Sequence, residues 1–278
     1  MRYRASIVIP AHNESSVIGS CLDLVMAEAS DAYQIVVVCN GCDDNTAEVA
    51  RGRGASVVEI PQASKAAALN AGDGAATVFP RVYLDADIEL TPASLRAIID
   101  EFAHGAVAVG AVPRVDLDGC GWSVRAYYAI WSRLGYVTTQ TLGSGLYALS
   151  ESGRSRFGEF PDVISDDGYV YHHFAPSERM NPPGATFVIR APRTVRSLLQ
   201  RRIRIVTGNM QLAAGGHVIV QSPPGPGWRE VVRARPQLFP AAVVYTVVNL
   251  LGALAARRRI RSGQPGSWNQ DRTTRVQS

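Results

Sequence analysis

Four short apolar runs rich in β-branched residues, Ser6 to Pro10, Gln34 to Cys39, Ser56 to Ile60 and Arg81 to Leu84, alternate with stretches of helical spacing. After the first run comes a polar loop and a helix expected to be capped near Asn13 or Ser15, with Val17, Cys21, Leu24 and Val25 as its apolar stripe. Thr46 to Arg53 and Ser64 to Ala71 read as shorter helices, and Pro92 to His104 as another with Pro92 in its first turn. Strand and helix alternating in this way make βαβ units. The expected class is therefore α/β, a doubly wound, mainly parallel sheet with helices on both faces. Ligands of such sheets bind beyond the carboxyl ends of the strands.

That rule gives the polar residues one address. Asn13 and Glu14 follow the first strand, Asn40 to Asp44 the second, and Asp85 with Asp87 the fourth. Residues i and i+2 of an extended chain share a face, so Asp85 and Asp87 converge. Two close carboxylates repel unless a cation lies between them, and hard divalent ions prefer oxygen ligands. Asp after a strand is also ordinary turn chemistry, so the pair alone decides nothing. Three such clusters at one sheet edge make a site the better reading.

Taken in order, the motifs resemble those of the inverting glycosyltransferases of family 2, which have the GT-A nucleotide-sugar-binding fold, over about residues 5 to 210. SIVIPAHNE (Ser6 to Glu14) resembles the family's opening strand and loop, and VVVCNGCDDNT (Val36 to Thr46) its second strand and turn. KAAALNAG (Lys65 to Gly72) is similar to the helix carrying a donor-contacting Lys, YLDADIEL (Tyr83 to Leu90) to the Asp-x-Asp metal motif, and SDDGY (Ser165 to Tyr169) to the motif supplying the base. The resemblance implies a GT-A domain over 1–210, with a nucleotide-sugar half to about 115 and an acceptor half from about 116, followed by a C-terminal extension over 211–278.

It also implies roles. Pro10, Ala11, Asn13, Glu14, Asn40, Asp44, Lys65, Asp85, Arg201 and Arg204 would contact the donor, and Asp87 with Asp85 would hold Mg²⁺ or Mn²⁺. Asp167 would be the base and Asp166 would orient it or the acceptor; Gly143, Ser144, Gly145 and Tyr169 would lie on the acceptor side. Asn40 stands where the family usually has an Asp accepting from uracil N3–H, and an Asn carbonyl can accept the same bond without charge. Arg201-Arg202-Ile203-Arg204-Ile205 lies where processive members carry Gln-x-x-Arg-Trp; the missing Trp implies transfer of a single sugar. The partners implied are a nucleotide-diphosphate sugar and a glycan or lipid-linked acceptor, with no nucleic acid.

Composition bears on the tail. From Ala185 onward there are fifteen Arg against Glu230 and Asp271, and Lys65 is the only lysine in the chain. Phe239 to Ala256 holds no charge for eighteen positions and has Arg on both sides, so an apolar helix over 239–256 is expected to span a bilayer, lie on an anionic membrane surface, or pack in the fold. A polar tail, Ser262 to Ser278, follows. The first apolar run is too short for a signal peptide, and the four cysteines point to no disulfide framework, so a cytoplasmic enzyme at the membrane's inner face is expected. Cys39 and Cys42 lack a second pair that would complete a zinc site. A sugar-phosphate nucleotidyltransferase would need a Gly-rich loop where PAHNE stands, and no G-x-G-x-x-G follows a strand as an NAD enzyme requires. A catalytically inactive GT-A binding module would leave Asp85, Asp87, Asp167 and Lys65 together unexplained.

Overall fold

In a computed structural model that describes residues 3–27, 32–139, 142–216 and 225–262, the amino-terminal runs alternate as expected. They form β1 (Ala5–Ala11), α1 (Ile18–Met26), β2 (Tyr33–Asn40), α2 (Thr46–Gly52), β3 (Ser56–Ile60), α3 (Lys65–Ala75), β4 (Arg81–Leu84), β5 (Glu89–Leu90) and α4 (Pro92–Asp100). There follow β6 (Ala108–Val109), β7 (Val112–Asp116), α5 (Trp122–Trp131), α6 (Gly135–Thr138), β8 (Leu146–Leu149), α7 (Glu151–Arg154) and α8 (Asp166–Tyr171). The chain continues through β9 (Arg179–Met180), β10 (Thr186–Arg190), α9 (Val195–Ala214), α10 (Trp228–Ala234) and α11 (Phe239–Arg261).

The main sheet has the order β3-β2-β1-β4-β8-β6-β9. β1 lies parallel to β2, from Ala5 opposite Tyr33 to Ala11 opposite Cys39, and parallel to β4. Only β8 runs against its neighbours β4 and β6. Alternation along β1 sends Ile7 and Ile9 to one face, among Ile18, Leu22 and Val25 of α1 and Leu95 and Ile98 of α4. Val8 goes to the other face, with Ala66 and Leu69 of α3 and Val170 of α8. Both isoleucines are fully buried, each burial contributing about 1.5–3 kcal/mol. Helices thus cover both faces, and β1, β2 and β4 end side by side.

Three features differ from expectation. The first helix starts at Ile18 rather than near Asn13 or Ser15: Asn13 takes a left-handed φ of 53°, and the Glu14 carbonyl accepts from the amides of Val17 and Ile18 in a turn that precedes the helix. A second sheet, β5-β10-β7, takes in the two residues Glu89 and Leu90 just after the Asp pair. The tail helix, expected over 239–256, runs on to Arg261; of the three placements left open for it, it packs on α5 and α9, Val248 clustering with Tyr127, Tyr128 and Leu198. Of the polar tail, 263–278 lie outside the described residues.

Candidate active site

The ends of β1 and β2 are clasped together. Pro10 lies opposite Val38, and the Ala11 carbonyl accepts from Asn40 Nδ2 at 2.8 Å and from Cys42 Sγ at 3.4 Å. Asn13 Oδ1 accepts from the Asp43 amide, and the Glu14 amide donates to Thr46 Oγ1. Asp44 spends both oxygens on this clasp, accepting from the Thr46 amide and hydroxyl on one and from the Ser15 amide on the other. Burial works against its charge, but those hydrogen bonds hold its carboxyl below the usual range. Asn40 is different. It is fully buried, its amide nitrogen is fixed on Ala11, and its Oδ1 has no partner among the described residues. A buried acceptor in that state is costly unless something donates to it.

Lys65 is the hub. As the first residue of α3, behind the Ser64 cap, its Nζ lies 2.7 Å from Asp85 Oδ1 and 2.9 Å from Asp166 Oδ1. Its side chain is 22% exposed and that of Asp166 only 6%, so the contact with Asp166 is sheltered from water, while Asp85 is 34% exposed. Burial opposes the ammonium charge, but Asp166, Asp85 and Asp167 outweigh it and push the Lys65 pKa above its usual range. For Asp166, burial is the largest influence; Lys65 lowers its pKa, Asp167 and Asp85 raise it, and it comes to about 6.

Asp167 faces the strap Gly143-Ser144-Gly145 before β8. Its Oδ2 accepts from the Ser144 amide at 3.0 Å, and its Oδ1 from the Gly168 amide and the Ser165 hydroxyl. All three strap residues have positive φ, 133°, 59° and 95°. A Cβ at Gly143 would come 2.9 Å from Asp167 Oδ2, and one at Gly145 3.1 Å from Asp85 Oδ2. The Gly145 carbonyl also accepts from the Asp85 amide at 2.8 Å. The strap therefore runs between the strand-end acid and the acid of α8, and its two glycines leave room for both acids to lie against it.

The expected residues do not all meet there. Asp87, partly exposed, borders a small crevice with Ser16, Ser20, Glu89 and Arg190, and carries no hydrogen bond or ion pair among the described residues. On α9, Arg204 lies near enough to Asp85, Asp87 and Asp167 to feel their charge, although burial, then Arg201, lowers its pKa. Arg201 donates to the Arg190 carbonyl at 3.4 Å. Tyr169 is buried with its ring against Phe157 and His173, so it belongs to the core under α8. Three residues carry features to which the sequence assigns no individual task. The hydroxyls of Tyr147 and Thr207 are buried without partners among the described residues, as is Asp166 Oδ2, and Gly208 lets α9 approach Ser165, where a Cβ would lie 3.0 Å from Ser165 Cβ. The signal for Tyr147 was present in the alternation of β8, which turns Leu146 to one core and Tyr147 to the other.

Among the described residues no three His, Cys, Asp or Glu side chains form a ready metal cage. One oxygen of Asp85 is on Lys65, which leaves Asp87 as the open carboxylate. That donor set suits a hard ion of the Mg²⁺ or Mn²⁺ kind, which protein sites commonly hold through one or two carboxylates plus the phosphates of a substrate.

Residues 6–148 match the family model described as glycosyl transferase family 2. Uncharacterized glycosyltransferases of Mycobacterium bovis and Mycobacterium tuberculosis are each 34% identical over 101 residues, 36% of this chain and 44% of theirs. The match thus spans less than half the length of these curated relatives. A mannosyltransferase from Pyrobaculum calidifontis, solved in complex with GDP-Man and Mn²⁺, is similar with a TM-score of 0.60 and 24% identity, over 95% of this chain and 80% of that one. The glucosyl-3-phosphoglycerate synthase of Mycobacterium tuberculosis, solved with Mn²⁺, UDP-Glc and glycerol 3-phosphate, gives a TM-score of 0.53 and 19% identity, over 78% and 81%. These two are likenesses of fold, and that fold is GT-A.

Proposed function

Because this chain belongs to glycosyl transferase family 2, we propose that it transfers a single sugar from a nucleoside diphosphate sugar to an acceptor hydroxyl, with inversion and with the help of Mg²⁺ or Mn²⁺. The observation that carries this reading is Lys65 joining Asp85, at the end of the fourth strand, to Asp166 beside Asp167. One ammonium group thus ties the strand-end acid to the acids of α8. The Mn²⁺ complexes of the two structural neighbours agree with a divalent ion beside them.

Each side chain then has a task. Asn40 Oδ1 receives the imide N–H of the nucleobase, being an acceptor held in one orientation. Arg204, Arg201 and Lys65 offset the charge of the diphosphate. Asp87 and Asp85 would hold the metal ion, which when bound neutralises charge on the leaving nucleoside diphosphate. Asp167 accepts the proton of the acceptor hydroxyl as that oxygen attacks the anomeric carbon from the side opposite the leaving group. One hydrogen bond from the strap and two from its own helix start fix Asp167, so it is oriented before substrate arrives. Asp166, held by Lys65, positions its neighbour. The acceptor is lipid-linked or a glycan at the cytoplasmic face of a membrane, a reading supported by the basic, apolar tail.

A thermal-shift panel of nucleoside diphosphates with Mn²⁺, run beside NAD, tests the assignment. A nucleoside diphosphate should raise the melting temperature only with the ion present, and Asn40→Ala should reduce that rise. Stabilisation by NAD alone, or by no nucleotide at all, would contradict it.

A further inference from the structure

Along α11 the residues divide by face. Ala242, Val248, Gly252 and Ala256 are buried against the rest of the fold, and a Cβ at Gly252 would lie 2.7 Å from Arg202 Cγ, so small residues let α11 and α9 come close. Phe239, Val243, Val247, Leu250, Leu251 and Leu254 form an exposed apolar strip on the other side, with Phe239 61% and Leu250 58% exposed. At about 100° per residue, Arg257, Arg258 and Arg261 continue the same side beyond Leu254, and all three are exposed. Arg233 and Arg235, also exposed, stand just before the strip. From Val231 to Arg261 there is no Asp or Glu.

We propose that α11 lies in the plane of an anionic lipid surface, its strip immersed at the boundary of headgroups and acyl chains and its flanking arginines on lipid phosphates. Charge selects this occupant over a second copy of the chain. Pairing two such faces would bring arginines together with no carboxylate from this stretch to oppose them, whereas phosphatidylglycerol or phosphatidylserine supplies the missing sign. By length and composition 236–261 could cross a bilayer. Packing argues for the plane instead. The strip from Phe239 to Leu254 is about 24 Å long, short of a hydrocarbon core of about 30 Å. The opposite face is committed to α5 and α9, so a span would draw α9 and its Arg202, which lies against Gly252, into hydrocarbon with it. The polar site would then sit close above the surface from which a membrane-borne acceptor is presented. This deepens the acceptor reading given above, yet its test measures lipid binding and not sugar transfer, so either can fail alone.

The experiment is flotation of the full chain with phosphatidylcholine vesicles, with and without phosphatidylglycerol, alongside light scattering to give the oligomeric state. The wild type should float with the anionic vesicles at least about tenfold more than with neutral ones, and added salt should weaken this. The double variant Leu250→Asp, Leu254→Asp, which alters exposed positions only, should keep the wild-type melting temperature and lose flotation. The triple variant Arg257→Glu, Arg258→Glu, Arg261→Glu should lose the preference for anionic vesicles. Flotation of the Asp double variant equal to wild type would overturn the proposal. So would a wild-type dimer that ignores vesicles and becomes monomeric in that variant, which would assign the face to a second copy.

Discussion

Asp166 and Asp167 are adjacent in the chain but differ in surroundings, and this separates their tasks. Asp167 has its hydrogen bonds from the strap and from its own helix start, while Asp166 is buried on Lys65 with one oxygen unpartnered. Asp167→Asn should lower turnover by about 10²- to 10⁴-fold with little change in stability. Asp166→Asn should cost less turnover and leave Lys65 half paired. Equal mild losses from both, in steady-state assays, would defeat the division. The pKa of Asp166, about 6, lies above that of an unfolded carboxylate. Its contribution to stability is therefore complete below about pH 4 and is lost as pH rises through about 6. In donor-free protein, the melting temperature of the wild type should fall relative to that of Asp166→Asn between about pH 4 and pH 7; parallel curves would contradict this. At this scale the acids and Lys65 were legible because charge is unusual at a strand end or a sheltered helix start. The commitment of Asp44 to a clasp was not legible, nor was the burial of Tyr169, because the sequence of either is the same whether its side chain turns to a ligand or to its neighbours.

Among the elements, α3 sets the position of the hub. It rests on β1 and β2 through Gly72, where a Cβ would meet Val8 Cγ1 at 2.3 Å. Gly72→Val should push the helix off the sheet, lower stability by about 1–3 kcal/mol and displace Lys65, seen as a lower melting temperature together with weaker nucleotide binding. Unchanged binding in a folded variant would show that Lys65 tolerates the shift. The long strands and their helices were readable in advance, since periods of 2 and 3.6 need several residues to declare themselves. The small sheet was not, because β5 has only two residues and its partner β10 lies about a hundred residues further along the chain. The start of α1 was misplaced for a local reason. Asn13 can cap a helix or take a left-handed turn, and tertiary contacts with Cys42 and Asp43 select the turn.

For the whole molecule, acids at the end of a sheet strand and acids at the start of α8 face each other across a strap of small residues, and α9 and α11 pack as a helix layer beside them. α9 links the parts: Arg204 feels the strand-end acids, Gly208 admits Ser165 just before the acid pair, and Arg202 lies under α11. The order of motifs gave the α/β class and the family resemblance without coordinates, but the packing of the tail against α5 and α9 depends on surfaces far apart in sequence, so three placements stayed open. The proposed role of Asp87, serving the diphosphate of a nucleotide sugar at the rim of the sheet, is decided by sugar transfer by Asp87→Ala at saturating donor and Mn²⁺. The protein should stay folded while its turnover falls by at least about 10²-fold; turnover close to wild type under those conditions would rule out that role for Asp87.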